Sequence, residues 1–196
     1  MIDLEPATDV MAALVAGVRD EQLSAPTPCP ELTVGDLLDH VDGLSLAFAA
    51  AATKAPLDGG SQPPSAADAA RLGTDWRIRI PQRLAELAGA WREDTAWQGM
   101  TQAGGLHMPA DVAGVVAVDE IVVHGWDLAV ATGQNFSCAP ELLTAAYEFV
   151  KASADENPHG TLGLFGPPVV VPESAPLVER LIGLSGRDPR WVPTAG

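Results

Sequence analysis

Residues 110–133, ADVAGVVAVDEIVVHGWDLAVATG, decide how this chain is read. The stretch predicts one long helix that is apolar almost all the way round. Between Asp111 and Asp127 its only strongly polar side chains are Asp119, Glu120 and His124. A helix apolar on most faces is buried, and a carboxylate or imidazole carried inward needs a partner. Glu120 and His124 are four residues apart and stack on one face. Asp127 follows three residues after His124 on nearly the same face, and Gly133 is a C-terminal stop. Glu and His directed inward in this way suit a metal ion or a catalytic pair. They also suit a plain buried hydrogen bond or ion pair, so the choice turns on a further group arriving from another helix.

That group is sought outward along the chain. Toward the N-terminus, Thr33 and Asp36 are spaced as a capping box with Asp in the third position. They open a helix from Val34 to about Ala52, with Leu37, Val41, Leu44 and Phe48 as its apolar stripe. His40 lies on or beside that stripe, as a packed core residue or as a ligand. A first helix is predicted from Pro6 to Leu23, where Leu4, Ala7, Met11, Leu14 and Val18 alternate at spacings of three and four. The Pro-rich loop Ser24–Leu32 joins the two.

Lys54–Ser65, KAPLDGGSQPPS, is a linker by composition and suits a long crossover in a four-helix bundle. A third helix starts at Ala66 or Asp75 and runs to Trp91, with a kink or break expected at Pro81. Glu93–Met108 reads as a loop with a short hairpin, and places His107 at the surface.

Beyond the central stretch, a helix is expected from Pro140 to near Asn157, followed by a turn with His159 facing solvent. A Pro-rich strap opens at Phe165, a short helix follows from about Ala175 to Leu184, and Trp191 anchors the end. No internal repeat and no second domain is visible, so residues 1–196 read as one domain. The fold class is all-α, a helical bundle with a C-terminal strap plus helix.

The chain of 196 residues is 47% hydrophobic, with few aromatics and much Ala, Val and Leu, a mixture that favours helices. Its formal net charge of −15 argues against a nucleic-acid partner and against an anionic membrane surface. No apolar run reaches transmembrane length. MIDLEPATDV does not have the pattern of a signal peptide. Cys29 and Cys138 are too few for a disulfide framework, which points to a cytoplasmic protein with reduced thiols. The same count excludes a Cys₄ zinc site, and neither cysteine has a neighbouring charge pattern that would lower its pKa.

Three polar residues thus face one interior: His40, Glu120 and His124. Two His and one carboxylate form a catalytic zinc set with an open position; in facial geometry the set suits iron or nickel. Asp127 is a fourth ligand or, the favoured role, a group that orients His124 through its other ring nitrogen. Trp126 packs the helix against its neighbours or lines the pocket. Other chemistries lack support. There is no Gly-rich phosphate loop, and GLSGR at 183–187 lacks the strand that a nucleophile elbow requires.

PTPCPELTVGDLLDHVDG at 26–43 and DEIVVHGWDLAVATGQ at 119–134 resemble the two signature segments of a metal-binding family in the DinB-like superfamily. Within it the chain resembles the proteins related to the N-terminal domain of mycothiol-dependent maleylpyruvate isomerase. The tail FGPPVVVPESAPLVERLIGLSGRDPRW at 165–191 resembles the end of its short, stand-alone actinobacterial members. The resemblance implies a four-helix bundle of up-down-down-up topology with a divalent metal held by His40, Glu120 and His124. Zinc is the first expectation, with nickel or iron as alternatives. The activity it implies is thiol chemistry, in which the metal generates a thiolate from a mycothiol-like cosubstrate. The expected function is therefore a metal-dependent thiol S-transferase or isomerase-like enzyme acting on a small electrophile. The alternatives are a metal-binding or stress-response protein without turnover, or a structural bundle whose polar residues satisfy one another, in either case with a homodimer allowed by the Ala-rich faces.

Overall fold

The computed structural model describes residues 1–30, 32–55, 66–161 and 163–193. Four helices form the bundle: α1 (Glu5–Gly17), α2 (Val34–Thr53), α3 (Trp76–Trp91) and α4 (Ala110–Thr132). Two more follow, α5 (Pro140–Glu156) and α6 (Leu177–Leu184), with α5 against α4 and α6 against α5. Between α3 and α4 the chain makes the expected hairpin, β1 (Met100–Ala103) paired antiparallel with β2 (Leu106–Pro109).

Residue pairings give the direction of each helix. Arg92 at the end of α3 reaches Glu5 at the start of α1, while Arg77 at the start of α3 bonds Val18 O and Asp20, so α1 and α3 are antiparallel. Asp42 in the middle of α2 accepts from Arg79 and Arg83, and Phe48 O accepts from the Trp91 indole, so α2 and α3 run parallel. Gln134 just past α4 donates to Leu14 O near the end of α1, which makes α1 and α4 parallel. The order is up-down-down-up. A parallel α2–α3 pair requires a connection that crosses the length of the bundle; residues 56–65 of the expected crossover lie outside the described residues.

Two helix bounds, and the break expected at Pro81, differ from the sequence reading. The first helix ends at Gly17, not Leu23: Val18 is extended and a 3₁₀ turn covers Asp20–Gln22. That turn sends the Gln22 amide to Thr132 O at the end of α4, a tertiary bond that hydrophobic periodicity does not register. α3 begins at Trp76 and continues through Pro81 without a break. The last helix starts at Leu177, after Pro176.

α4 is buried along most of its length because α1, α2 and α5 all pack on it. Its end is sharp: Gly133 takes a φ of +70°, where a Cβ would be strained, and its N–H caps the last turn. No helix among the described residues is long and apolar enough to cross a membrane.

Candidate metal centre

α2 and α4 run antiparallel and bring His40 opposite Glu120 and His124. The capping box read from the sequence forms: Thr33 Oγ1 accepts from Asp36 N–H, and Asp36 accepts from Thr33 N–H. It sets the start of α2, and with it the rotation that turns His40 toward α4. Glu120 Oε2 lies 3.4 Å from His40 Nε2 and 3.2 Å from His124 Nε2. The two imidazoles meet edge to face with centroids 4.8 Å apart.

The candidate ligand atoms of these three residues all lie within 4.8 Å of one another. A tetrahedral ion with bonds of ~2.0–2.1 Å separates its ligands by about 3.3 Å. The 3.2 and 3.4 Å separations match that edge, and the donor set, two imidazole nitrogens and one carboxylate oxygen, suits zinc. The residues present therefore fit a divalent ion.

Asp127 stands behind His124. Its Oδ2 is 3.0 Å from His124 Nδ1 and it is fully buried. Arg187, 6% exposed, grips it: Nε lies 3.0 Å from Oδ1 and 3.1 Å from Oδ2, and a terminal nitrogen lies 2.9 Å from Oδ2. Burial pushes the Asp127 carboxyl up, but Arg187 and His124 outweigh it and hold it below the usual range. An ionised carboxylate only accepts, so His124 Nδ1 carries the proton. Nε2 is left to face Glu120 and the cavity, the arrangement in which an imidazole ligates a metal.

In the absence of a metal both ring nitrogens of His124 face carboxylates. Burial disfavours the imidazolium, but Asp127 and Glu120 prevail and raise its pKa from 6.5 to about 9. His124 and His40 likewise hold Glu120 low against its burial. The sign follows by linkage: a raised histidine stabilises the fold fully below pH 6.5, and the contribution is lost as pH rises through 9. The metal-free protein should lose stability between pH 6.5 and 9. An NMR titration of the His124 ring should place its midpoint near 9; a midpoint near 6.5 would contradict the two-carboxylate environment.

The three residues form one wall of a cavity of about 170 Å³. Asp119, Val123 and α4 continue the wall, Cys29 and Leu32 enter from the loop before α2, and Gly163, Leu164, Phe165 and Arg187 enter from the C-terminal segment. The Thr27 hydroxyl shapes the first loop by donating to the carbonyls of Cys29 and Leu32. Gly186, at φ +86°, lies against the Gly166 backbone and lets the segment carrying Arg187 close on the 163–165 loop. Trp126 does not line the cavity; it packs in the apolar core, because its position on α4 turns it away from α2. His107 and His159 are exposed and are not among the residues that line the cavity.

The model of the mycothiol maleylpyruvate isomerase N-terminal domain family matches residues 4–129. The chain belongs to that family. Two proteins of Mycobacterium tuberculosis, the uncharacterized protein MT0763 of strain CDC 1551 and the uncharacterized protein Rv0738 of strain H37Rv, are each 30% identical to it over 187 residues. Those alignments cover 94% of this chain and 95% of each relative. The crystal structure of the mycothiol-dependent maleylpyruvate isomerase superposes with a TM-score of 0.59 at 19% identity, over 78% of this chain and 69% of that one. At that identity the superposition establishes a shared fold.

The match to the mycothiol maleylpyruvate isomerase N-terminal domain takes in His40, Glu120, His124 and Asp127 and stops at residue 129. Arg187 and the 163–165 loop lie beyond it. These, with Cys29, Leu32, Asp119 and Val123, are the cavity residues that sequence reasoning missed. Asp119 alone carried a signal, as an acidic residue in an otherwise apolar helix. Cys29 is not activated, as the sequence suggested: burial is the main cause that pushes its thiol up to about 11.

Proposed function

We propose that this protein holds a divalent ion, zinc before nickel or iron, through His40, Glu120 and His124, and acts as a thiol-dependent S-transferase or isomerase-like enzyme on a small electrophile. The observation that carries the reading is the convergence of two imidazole nitrogens and one carboxylate oxygen at the wall of a cavity of about 170 Å³. When bound, such an ion lowers the pKa of a thiol and so supplies thiolate at neutral pH. The name of the family's isomerase points to a mycothiol-like thiol as cosubstrate.

The chain's own residues do the rest. Arg187 fixes Asp127, and Asp127 fixes the tautomer and ring plane of His124. Leu32, Val123 and Phe165 give the cavity apolar walls that receive carbon. Cys29, held neutral at pH 7, leaves the nucleophile's part to a thiol from solution. The cavity is of the size that takes about one six-carbon ring, so it admits the thiol end of a cosubstrate or a small electrophile while a larger body stays outside. The thiolate sulfur would add to the β-carbon of an activated alkene as the C=C π bond breaks and its electron pair passes to the activating group; the enolate so formed would take a proton from solvent in a transfer, or expel the thiolate and re-form the double bond after rotation in an isomerisation.

The test is the consumption of small activated alkenes by zinc-loaded protein with and without mycothiol or N-acetylcysteine. Thiol-dependent turnover that falls at least a hundredfold in Glu120→Gln supports the reading. Tight zinc binding without turnover for any pair would favour a binding role.

A further inference from the structure

All 11 Lys and Arg of the chain lie among the described residues, and of these Arg187 alone lines the cavity. Its charge is already matched. Nε and one terminal nitrogen meet the Asp127 carboxylate, and the other terminal nitrogen lies 3.2 Å from Ser185 O. The two histidines of the wall belong to the metal centre: His124 stands between Asp127 and Glu120, and His40 faces Glu120. At the Cys29 sulfur, which also lines the cavity, Arg187 favours a negative charge while Asp127 and Glu120 both oppose one. Leu32, Val123, Leu164 and Phe165 present carbon to the remaining space.

We propose that this cavity selects an uncharged electrophile: an activated alkene whose carbonyl belongs to an ester, an amide or a ketone, not to a free acid. The inference rests on the thiol reading above and names the class of the second substrate. A divalent ion at His40, Glu120 and His124 brings two positive charges, and Glu120 together with the cosubstrate thiolate balances both. A carboxylate placed beside them would be buried with no cation left to pair it, and an unpaired buried charge is far more costly than a buried carbonyl. The formal net charge of −15 further disfavours the approach of anions. An uncharged alkene meets the apolar walls without either penalty.

The first test needs neither metal nor turnover, because Cys29 reports on the cavity from inside. In metal-free protein, peptide mass spectrometry follows alkylation of Cys29 by iodoacetamide and by iodoacetate. The rate ratio, amide over anion, is compared with that of the same cysteine in urea-unfolded protein. The folded ratio should be larger by at least about tenfold, a small part of what burying an unpaired charge would forfeit. Leu164 is half exposed on the cavity wall, so Leu164→Arg adds a cation there without disturbing the core and should cut the preference several-fold. A folded ratio no larger than the unfolded one, no reaction of Cys29 with the amide, or an unchanged ratio in Leu164→Arg overturns the proposal. The second test is turnover of dimethyl fumarate and of fumarate by zinc-loaded protein with N-acetylcysteine, each rate divided by that of the uncatalysed reaction. Greater acceleration of the diester supports the proposal. Equal or greater acceleration of fumarate overturns it and leaves the thiol reading intact. Acceleration of neither overturns the thiol reading, and the substrate class with it, whatever the ratio at Cys29.

Discussion

Arg187→Met should destabilise the metal-free protein by ~3–5 kcal/mol, the usual cost of leaving one member of a buried ion pair alone. In a chain of 196 residues that corresponds to a melting temperature lower by roughly 10 °C. Asp127 is fully buried and Arg187 meets both of its oxygens at 2.9–3.1 Å. With the guanidinium gone, only His124 opposes the charge. The effect belongs to the lost pairing, so adding Asp127→Asn to Arg187→Met should recover much of the stability. Urea denaturation at pH 7 of the two single variants and the double variant checks this. A loss under ~1 kcal/mol in Arg187→Met, the range of exposed pairs, would mean that the C-terminal segment does not hold Asp127 in solution.

Zinc should raise the melting temperature of the wild type and leave that of His40→Ala unchanged. At a free concentration a thousand times Kd, one bound ion stabilises a fold by ~4 kcal/mol, again roughly 10 °C here. His40 separates its two readings well because its side chain is 32% exposed. Its loss removes little packing, so the metal-free variant should melt close to wild type. A large fall in the metal-free variant, with a zinc response preserved, would return His40 to the role of a packed core residue. Thermal unfolding with and without zinc, after treatment with a chelator, is the measurement.

Much of this architecture is legible from residue order because the bundle obeys local rules. The apolar surround of residues 110–133 required burial, and α4 is enclosed by α1, α2 and α5. The capping box at Thr33 and Asp36 and the stop at Gly133 both form. Glu120, His124 and His40 meet because helical spacing places two of them on one face and the apolar stripe of α2 turns the third toward it.

What stayed hidden depends on contacts that periodicity does not encode. Arg187 is sixty residues from Asp127, in an irregular turn after α6 whose path is set by Gly186 against Gly166. From GLSGRDPRW alone that arginine looks like one more surface cation. Cys29 reaches the cavity through a loop shaped by the Thr27 hydroxyl, a bond specific to that turn. Trp126 shows the converse: aromatic character alone does not say whether a side chain lines a cavity or fills the core, and one position's rotation on α4 decided for the core. The turn that follows the early end of α1 is likewise held by a long-range contact, the bond from Gln22 to Thr132 O.

The 3.2 and 3.4 Å contacts of Glu120 are also hydrogen-bond distances, so the claim on which the account depends is the ion itself. Elemental mass spectrometry of untagged protein, purified without added metal, tests it directly beside the His124→Ala variant. The account predicts close to one equivalent of a divalent metal in the wild type and almost none in the variant, with helicity retained in both. No metal in either, and no uptake by the wild type when zinc is supplied, would contradict it and leave His40, Glu120 and His124 as a buried hydrogen-bond network.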